Sequence, residues 1–171
     1  MIQRMIGASR LDPEVYEEVE ADSSSTGQAL LVVALVALAT GLVSLSLIGL
    51  IGLLVGVVVA IGGWVIWAWL VYLIGTKILP SHETNADWGQ LARTLGFAQS
   101  PGVLKVFGVV PVVGETIFLI VSVWMLFAMV IAVRQALDYT STLRAIGVVI
   151  LGFIPYGLLV FMVLALLGTE A

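Results

Sequence analysis

The sequence predicts an all-α fold: a polytopic helical membrane bundle of five spans, the third of which is short or distorted. Of the 171 residues, 61% are hydrophobic and 11% are charged, and the mean hydropathy is +1.17. Residues 23–76 contain no charged residue and no histidine, whereas one bilayer crossing needs only about 20 apolar residues. Residues 116–133 and 145–167 are two further apolar runs of spanning length.

The N-terminal segment, residues 1–27, is predicted to be cytoplasmic and acidic. Six of the eleven acids lie between Asp12 and Asp22, so the net charge of −4 describes mainly this segment. Asp12 followed by Pro13 is typical of a helix N-cap and the first helical residue after it. We interpret this short acidic helix as a solvated surface in preference to a partner-docking peptide. The acidic balance argues against nucleic acid as a partner.

The membrane domain is predicted to cover residues 28–171, and its first two spans, about 28–46 and 49–76, form a hairpin. Glycine recurs on one face of the second span, where another backbone can approach closely. We predict a helix-packing or partner face there, with packing inside the fold favoured over homodimerisation. Its members are Gly49, Gly52, Gly56 and Gly63.

An amphipathic connection, residues 80–100, is predicted to follow the second span. Trp88, Leu91, Ala92 and Leu95 have helical spacing, with polar residues between them. This pattern fits a helix in the lipid headgroup plane, and it fits equally a loop helix packed on the end of the bundle.

The third span is predicted from the basic residues, which favour the cytoplasmic side of a membrane. Those flanking the fourth span, about 115–133, are Lys77, Arg93, Arg134 and Arg144. If all four are cytoplasmic, the chain crosses outward through residues 95–113, bent or broken between Pro111 and Gly114. We expect Lys105 to face the bundle or reach the cytoplasmic interface, and Glu115 to lie near the other interface. The alternative is a bundle of four spans.

The fifth span is predicted at about 144–167, which places the N-terminus in the cytoplasm and the C-terminus outside. Arg4 and Arg10 precede the first span, whereas residues 168–171 carry no basic side chain.

Two function classes remain after the motifs are considered. The chain has no cysteine, no glycine-rich phosphate loop, no nucleophile elbow and no carboxylate pair within a span. We therefore predict no enzyme activity, no catalytic residue, no cofactor and no metal. A membrane scaffold or accessory subunit is favoured. The alternative is a small transporter, because Gly-x-x-Pro motifs at residues 108–111 and 152–155 break two apolar runs.

Three stretches, residues 96–101, 110–114 and 132–140, resemble the Yip-domain (Ypt-interacting protein) family of membrane proteins. The positions that carry the resemblance are Gly96, Phe97, Pro101, Pro111, Gly114, Arg134 and Asp138. The resemblance implies five spans with a cytoplasmic N-terminus. Eukaryotic members bind Rab-type GTPases and assist vesicle budding and the shaping of Golgi or endoplasmic reticulum membranes.

One family element is missing here. Eukaryotic members carry an acidic-Leu-Tyr-Gly-Pro element, whereas residues 11–16 contain no Tyr-Gly-Pro. This departure argues against Rab-type GTPase binding, and the short tail resembles the prokaryotic members, which implies a bacterial plasma membrane. The expected partners are the lipid bilayer and other membrane proteins, or a second copy of the chain.

Overall fold

The computed structural model describes residues 1–82 and 84–168, and every regular element in them is helical, as predicted. A 3₁₀ turn at Ser23–Ser25, a π turn at Ile74–Ile78 and a 3₁₀ segment at Ser100–Val109 complete the fold. The α-helices are α1 (Ile2–Ser9), α2 (Pro13–Ala21), α3 (Thr26–Val43), α4 (Leu45–Leu73), α5 (Trp88–Phe97), α6 (Gly114–Ala136) and α7 (Thr142–Gly168).

Among the described residues, four stretches of helix are long and apolar enough to cross a membrane: Ser23–Val43, Leu45–Ile78, Gly114–Ala136 and Thr142–Val163. The predicted count of five is not confirmed by this criterion. Residues 95–113 contain the end of α5, the 3₁₀ segment and a turn, so they form no long α-helix. Ten residues of 3₁₀ helix extend only about 20 Å, less than the roughly 30 Å hydrocarbon core of a bilayer.

The bundle has two ends, which we call the first and second end. At the first end α3 begins, α4 ends, α6 ends and α7 begins. At the second end lie the α3–α4 turn at Ser44 and the start of α6 at Gly114. Residues 169–171, which bear on the predicted position of the C-terminus, lie outside the described residues.

Helix α4 is kinked near its start. Gly49 has φ 64° and ψ −179°, a conformation that side chains with a Cβ rarely adopt. Leu45–Leu73 is therefore one short turn followed, after Gly49, by a long helix. The kink lies at the second end, directly after the turn at Ser44.

Helices α1, α2 and α5 form a layer around the first end of the bundle. Tyr16 and Val19 of α2 and Phe97 of α5 are fully buried. The indole Nε1 of Trp64 donates a hydrogen bond of 3.0 Å to the carbonyl oxygen of Ala92, which ties α4 to α5. The connecting helix thus packs on the bundle, and residues 1–27 are part of the folded structure.

Candidate functional site

The acidic helix α2 presents three exposed carboxylates, Glu14, Glu17 and Glu18, which we call the acidic platform. Its opposite face carries Tyr16 and Val19, which are buried against the bundle. The helix begins as the sequence predicts, because Asp12 Oδ1 accepts a hydrogen bond of 3.1 Å from the Glu14 amide. The platform is a folded surface held on the bundle.

Arg93 of α5 anchors the C-terminal end of α2. Its Nε lies 3.0 Å from the Val19 carbonyl oxygen and 3.2 Å from that of Glu20, and its Nη2 also donates to the Glu20 carbonyl. A cation at this position satisfies carbonyl groups that lack a helical partner, and it complements the helix dipole. Arg93 is itself buried, so it serves packing as well as charge.

The carboxylate of Glu20 lies beside the same anchor. Gln90 Nε2 donates a hydrogen bond of 3.0 Å to Glu20 Oε1. The pKa of Glu20 is raised to about 7, mainly by burial and also by the nearby carboxylates of Asp138 and Glu17, while Arg93 opposes the shift. The first end therefore contains an acid that changes charge near neutral pH.

Arg4 joins α1 to the platform. Its Nη2 lies 2.7 Å from Glu18 Oε1 and 2.9 Å from Asp22 Oδ2, and its Nη1 lies 3.4 Å from Gln28 Oε1. The hydrogen bond to Glu18 raises the pKa of Arg4. The hydrogen bond that Asp22 accepts from Ser24 is the main cause that lowers the pKa of Asp22, and the hydrogen bond from Arg4 lowers it too.

The anchoring roles of Gln90 and Arg93 were not predicted from the sequence. A local signal exists for Gln90, because it forms a capping box with Asp87 at the start of α5. Arg93 is one of the polar residues of the amphipathic pattern, and nothing in the sequence indicates that it contacts residues 73 and 74 positions earlier.

The stretch 96–108 runs alongside α3 from the first end to the second. Three glycines of this stretch, spaced six residues apart, face three residues of α3 that are spaced seven apart. The two backbones therefore lie close together over about 20 Å. A spacing of six is two turns of a 3₁₀ helix, which keeps Gly102 and Gly108 on one face. The facing pairs are Gly96 with Ala29, Gly102 with Val36 and Gly108 with Val43.

The turn after this stretch brings two glycines together. A Cβ built on Gly114 would collide with the carbonyl oxygen of Gly108, so only glycine fits there without a backbone shift. Pro111 lies in the exposed turn between them, and Val112 has φ 72° and is 97% exposed. Glu115 is exposed in the first turn of α6, at the second end.

Lys105 and Gln99 line a groove of about 310 Å³ between α3 and α4. Gly52 and Gly56 of the predicted glycine face lie on its other side, and a Cβ on Gly56 would meet no atom within 4 Å. The Lys105 Nζ also lies 4.3 Å from the ring centroid of Phe118, near the start of α6.

The other two glycines of that face have different surroundings. A Cβ on Gly63 would lie 2.8 Å from the Tyr156 hydroxyl oxygen of α7, so this position allows close helix packing. Gly49 forms the kink of α4 and has no neighbour within 4 Å of a built Cβ. The four glycines therefore do not share one contact, and the prediction that they form a packing or partner face stays a prediction.

The end of α6 is closed by the predicted family positions Arg134 and Asp138. The Tyr139 amide donates to the Arg134 carbonyl at 2.9 Å, and the Asp138 amide donates to that of Gln135 at 2.9 Å. With φ 51° at Asp138, this is a Schellman ending in which aspartate takes the usual place of glycine. The Arg134 Nε also lies 3.2 Å from the Tyr139 carbonyl oxygen. The turn directs Tyr139 toward the end of α4.

Within residues 1–82 and 84–168, no group of three His, Asp or Glu side chains is placed to hold a metal ion. The features that stand out are therefore surfaces: the acidic platform, the groove beside Lys105, and a cleft under α1.

Comparison with known proteins gives one positive result. The family model described as the Yip1 domain matches residues 11–164. Comparison with curated proteins and with solved structures gave no match.

Proposed function

The chain belongs to the Yip1 domain family of multi-pass membrane proteins, and on that premise we propose that it is a non-catalytic membrane scaffold that docks partner proteins on its acidic platform. The supporting observation is that α2 is fixed to the bundle by Arg93, Gln90 and a buried face. Its three glutamates stay exposed, with Glu18 paired to Arg4 and Glu17 accepting a hydrogen bond from Gln135. A preformed surface loses little conformational entropy on binding. The partner it fits is a protein with a basic surface.

We also propose a fifth crossing, made by residues 95–113. This stretch advances beside α3 from Ala29 to Val43, and so connects the first end to the second. The chain then passes between the ends five times, with the distorted passage third. Six of the seven basic residues fall at the first end, and the exception is Lys105; the six are Arg4, Arg10, Lys77, Arg93, Arg134 and Arg144.

This charge distribution supports a cytoplasmic first end, since basic residues favour that side. The N-terminus would then be cytoplasmic and the C-terminus outside. A plasma membrane location in a bacterium follows from the resemblance to the prokaryotic members and remains part of the proposal.

A photo-crosslinking residue placed at Glu14 tests the scaffold in the cells that express the protein. We expect a discrete protein adduct from Glu14 and none from Ser46, which lies in the turn at the second end. Charge reversal at Glu17 and Glu18 should abolish the adduct. No adduct at Glu14, or the same adduct from both positions, would contradict docking on the platform.

The groove beside Lys105 favours a second candidate, a small transporter. A charged side chain in a membrane protein's interior often marks a substrate path. Flux of a solute through liposomes that is lost in Lys105→Met would favour this candidate over the scaffold. The absence of solute flux through liposomes that contain the protein, together with retained binding of the partner protein, would favour the scaffold.

A further inference from the structure

A cleft of about 520 Å³ lies between α1 and the rest of the bundle. One wall is the apolar face of α1, formed by Ile2, Met5 and Ile6. The other wall includes Leu35 of α3 and Trp124 of α6, and Pro101, Val103 and Leu104 complete the lining. The volume is within the range of roughly 300–1,000 Å³ that is typical of small-molecule sites.

Hydrogen bonds and an ion pair fix α1 in place beside the cleft. The Trp124 indole Nε1 donates a hydrogen bond of 2.7 Å to the Ser9 carbonyl oxygen. The Tyr16 hydroxyl group donates one of 3.0 Å to the Ala8 carbonyl, and Arg4 pairs with Glu18. Since α1 is fixed at both ends, its apolar face cannot close onto the bundle by a small rotation.

Water is a poor occupant of this cleft. Ile2 is 69% exposed, Ile6 is 50% exposed and Leu35 is 40% exposed. A stable buried water needs two to four polar partners, which an apolar wall does not offer. Leu35 also belongs to a stretch that is apolar enough to cross a membrane, so the cleft opens toward lipid chains.

Arg10 is the one charged side chain among the residues that line the cleft. It is exposed at the end of α1, and it makes no hydrogen bond or ion pair within the described part of the chain. The nearest acid in the sequence, Asp12, caps α2 through the Glu14 amide. The rim therefore offers a free cation beside an apolar channel, which fits an anionic group attached to a long apolar chain.

We propose that the cleft binds one anionic phospholipid, with its phosphate at Arg10 and one acyl chain between α1 and α3. The charge at the rim selects the headgroup, and the apolar walls hold the chain. A bound lipid would fasten α1, and through Arg4 the platform, to the membrane.

The test compares phosphatidylglycerol with phosphatidylcholine of the same acyl chains, bound to delipidated full-length protein and counted by native mass spectrometry. We expect phosphatidylglycerol to bind more tightly. Arg10→Gln should weaken that binding about tenfold, the loss expected for one charge-assisted hydrogen bond, and should leave phosphatidylcholine unchanged. Lys77→Gln removes a basic side chain at the same end of the bundle and should change neither.

Phosphatidylglycerol with a photoreactive acyl chain maps the chain itself, and adducts should fall on residues 1–10 and 100–104. Ile6→Trp fills the cleft and should reduce these adducts. The proposal is overturned if the two lipids bind equally tightly. It is also overturned if Arg10→Gln and Lys77→Gln weaken phosphatidylglycerol binding equally, or if the adducts fall only on other residues. A thermal unfolding curve for Arg10→Gln that matches the unmodified chain confirms that the loss is local.

Discussion

The Tyr139 hydroxyl group lies 2.7 Å from the carbonyl oxygen of Leu79 and 2.9 Å from that of Gly75. Gly75 lies in the π turn that continues from α4, and Leu79 follows that turn directly. Carbonyl groups at such a helix end lack helical partners. Tyr139 is only 3% exposed. The loop between α6 and α7 therefore closes the end of α4.

Replacing Tyr139 by Phe should destabilise the protein by about 1–3 kcal/mol, because it leaves buried carbonyl groups unsatisfied. Thermal unfolding in detergent measures the change. Tyr72→Phe is the matched control, since the Tyr72 hydroxyl makes no hydrogen bond in the part of the chain that the structure describes. Equal changes in unfolding temperature in the two variants would show that the hydrogen bonds of the Tyr139 hydroxyl group contribute nothing to stability.

Gly96→Ala should prevent the close approach of α5 to α3. The added Cβ would lie 2.7 Å from the Ala29 Cβ and 3.2 Å from its Cα, so a backbone would have to move. Overpacking of this kind costs about 1–3 kcal/mol. Gly27→Ala is the control, because its Cβ would meet no atom within 4 Å, and alanine favours a helix by up to about 1 kcal/mol. If both variants unfold at the same temperature, the predicted contact is absent.

Glu20→Gln should change the pH dependence of stability. The pKa of Glu20 is about 7 in the fold, against an ordinary value of 4.5, so the folded state binds more protons between these values. Stability should therefore fall as pH rises from about 4.5 to about 7, and Gln should remove that loss. We expect the gain in melting temperature of Glu20→Gln over the unmodified chain to be larger at pH 8 than at pH 5.

Glu14→Gln controls for the removal of one negative charge from the same helix, because Glu14 is exposed. The same gain for Glu20→Gln at both pH values would rule out a proton held by the fold at Glu20.

The helical elements follow from local sequence signals. The uncharged apolar run 23–76 predicts both α3 and α4. The turn between them lies at Ser44, beside Ser46, in the middle of that run. The Asp12-Pro13 pair marked the start of α2. These signals act within one or two turns of chain, which is why they can be recognised without knowledge of the fold.

The packing of these elements does not follow from the sequence in the same way. The apolar face of α5 fits a headgroup layer as well as a protein surface, and only the structure shows Phe97 and Leu91 buried. The stretch from the end of α5 through the 3₁₀ segment has a sequence signal of its own: glycines six residues apart at Gly96, Gly102 and Gly108. A spacing of six matches two turns of 3.0 residues and not the 3.6 of an α-helix.

The orientation and the fifth crossing are tested together by cysteine labelling, which is clean because the chain contains no cysteine. In the proposed arrangement Ser46 and Val112 lie at the second end, outside the cell, and Ser23 and Ser141 lie at the first end, in the cytoplasm. An impermeant thiol reagent should therefore label cysteines at Ser46 and Val112 in intact cells. Those at Ser23 and Ser141 should be labelled only after permeabilisation. Val112 is 97% exposed, so a failure to react cannot be attributed to burial. Labelling of Ser141 from outside, with Val112 reactive only after permeabilisation, would mean that residues 95–113 do not cross and that the chain has four spans.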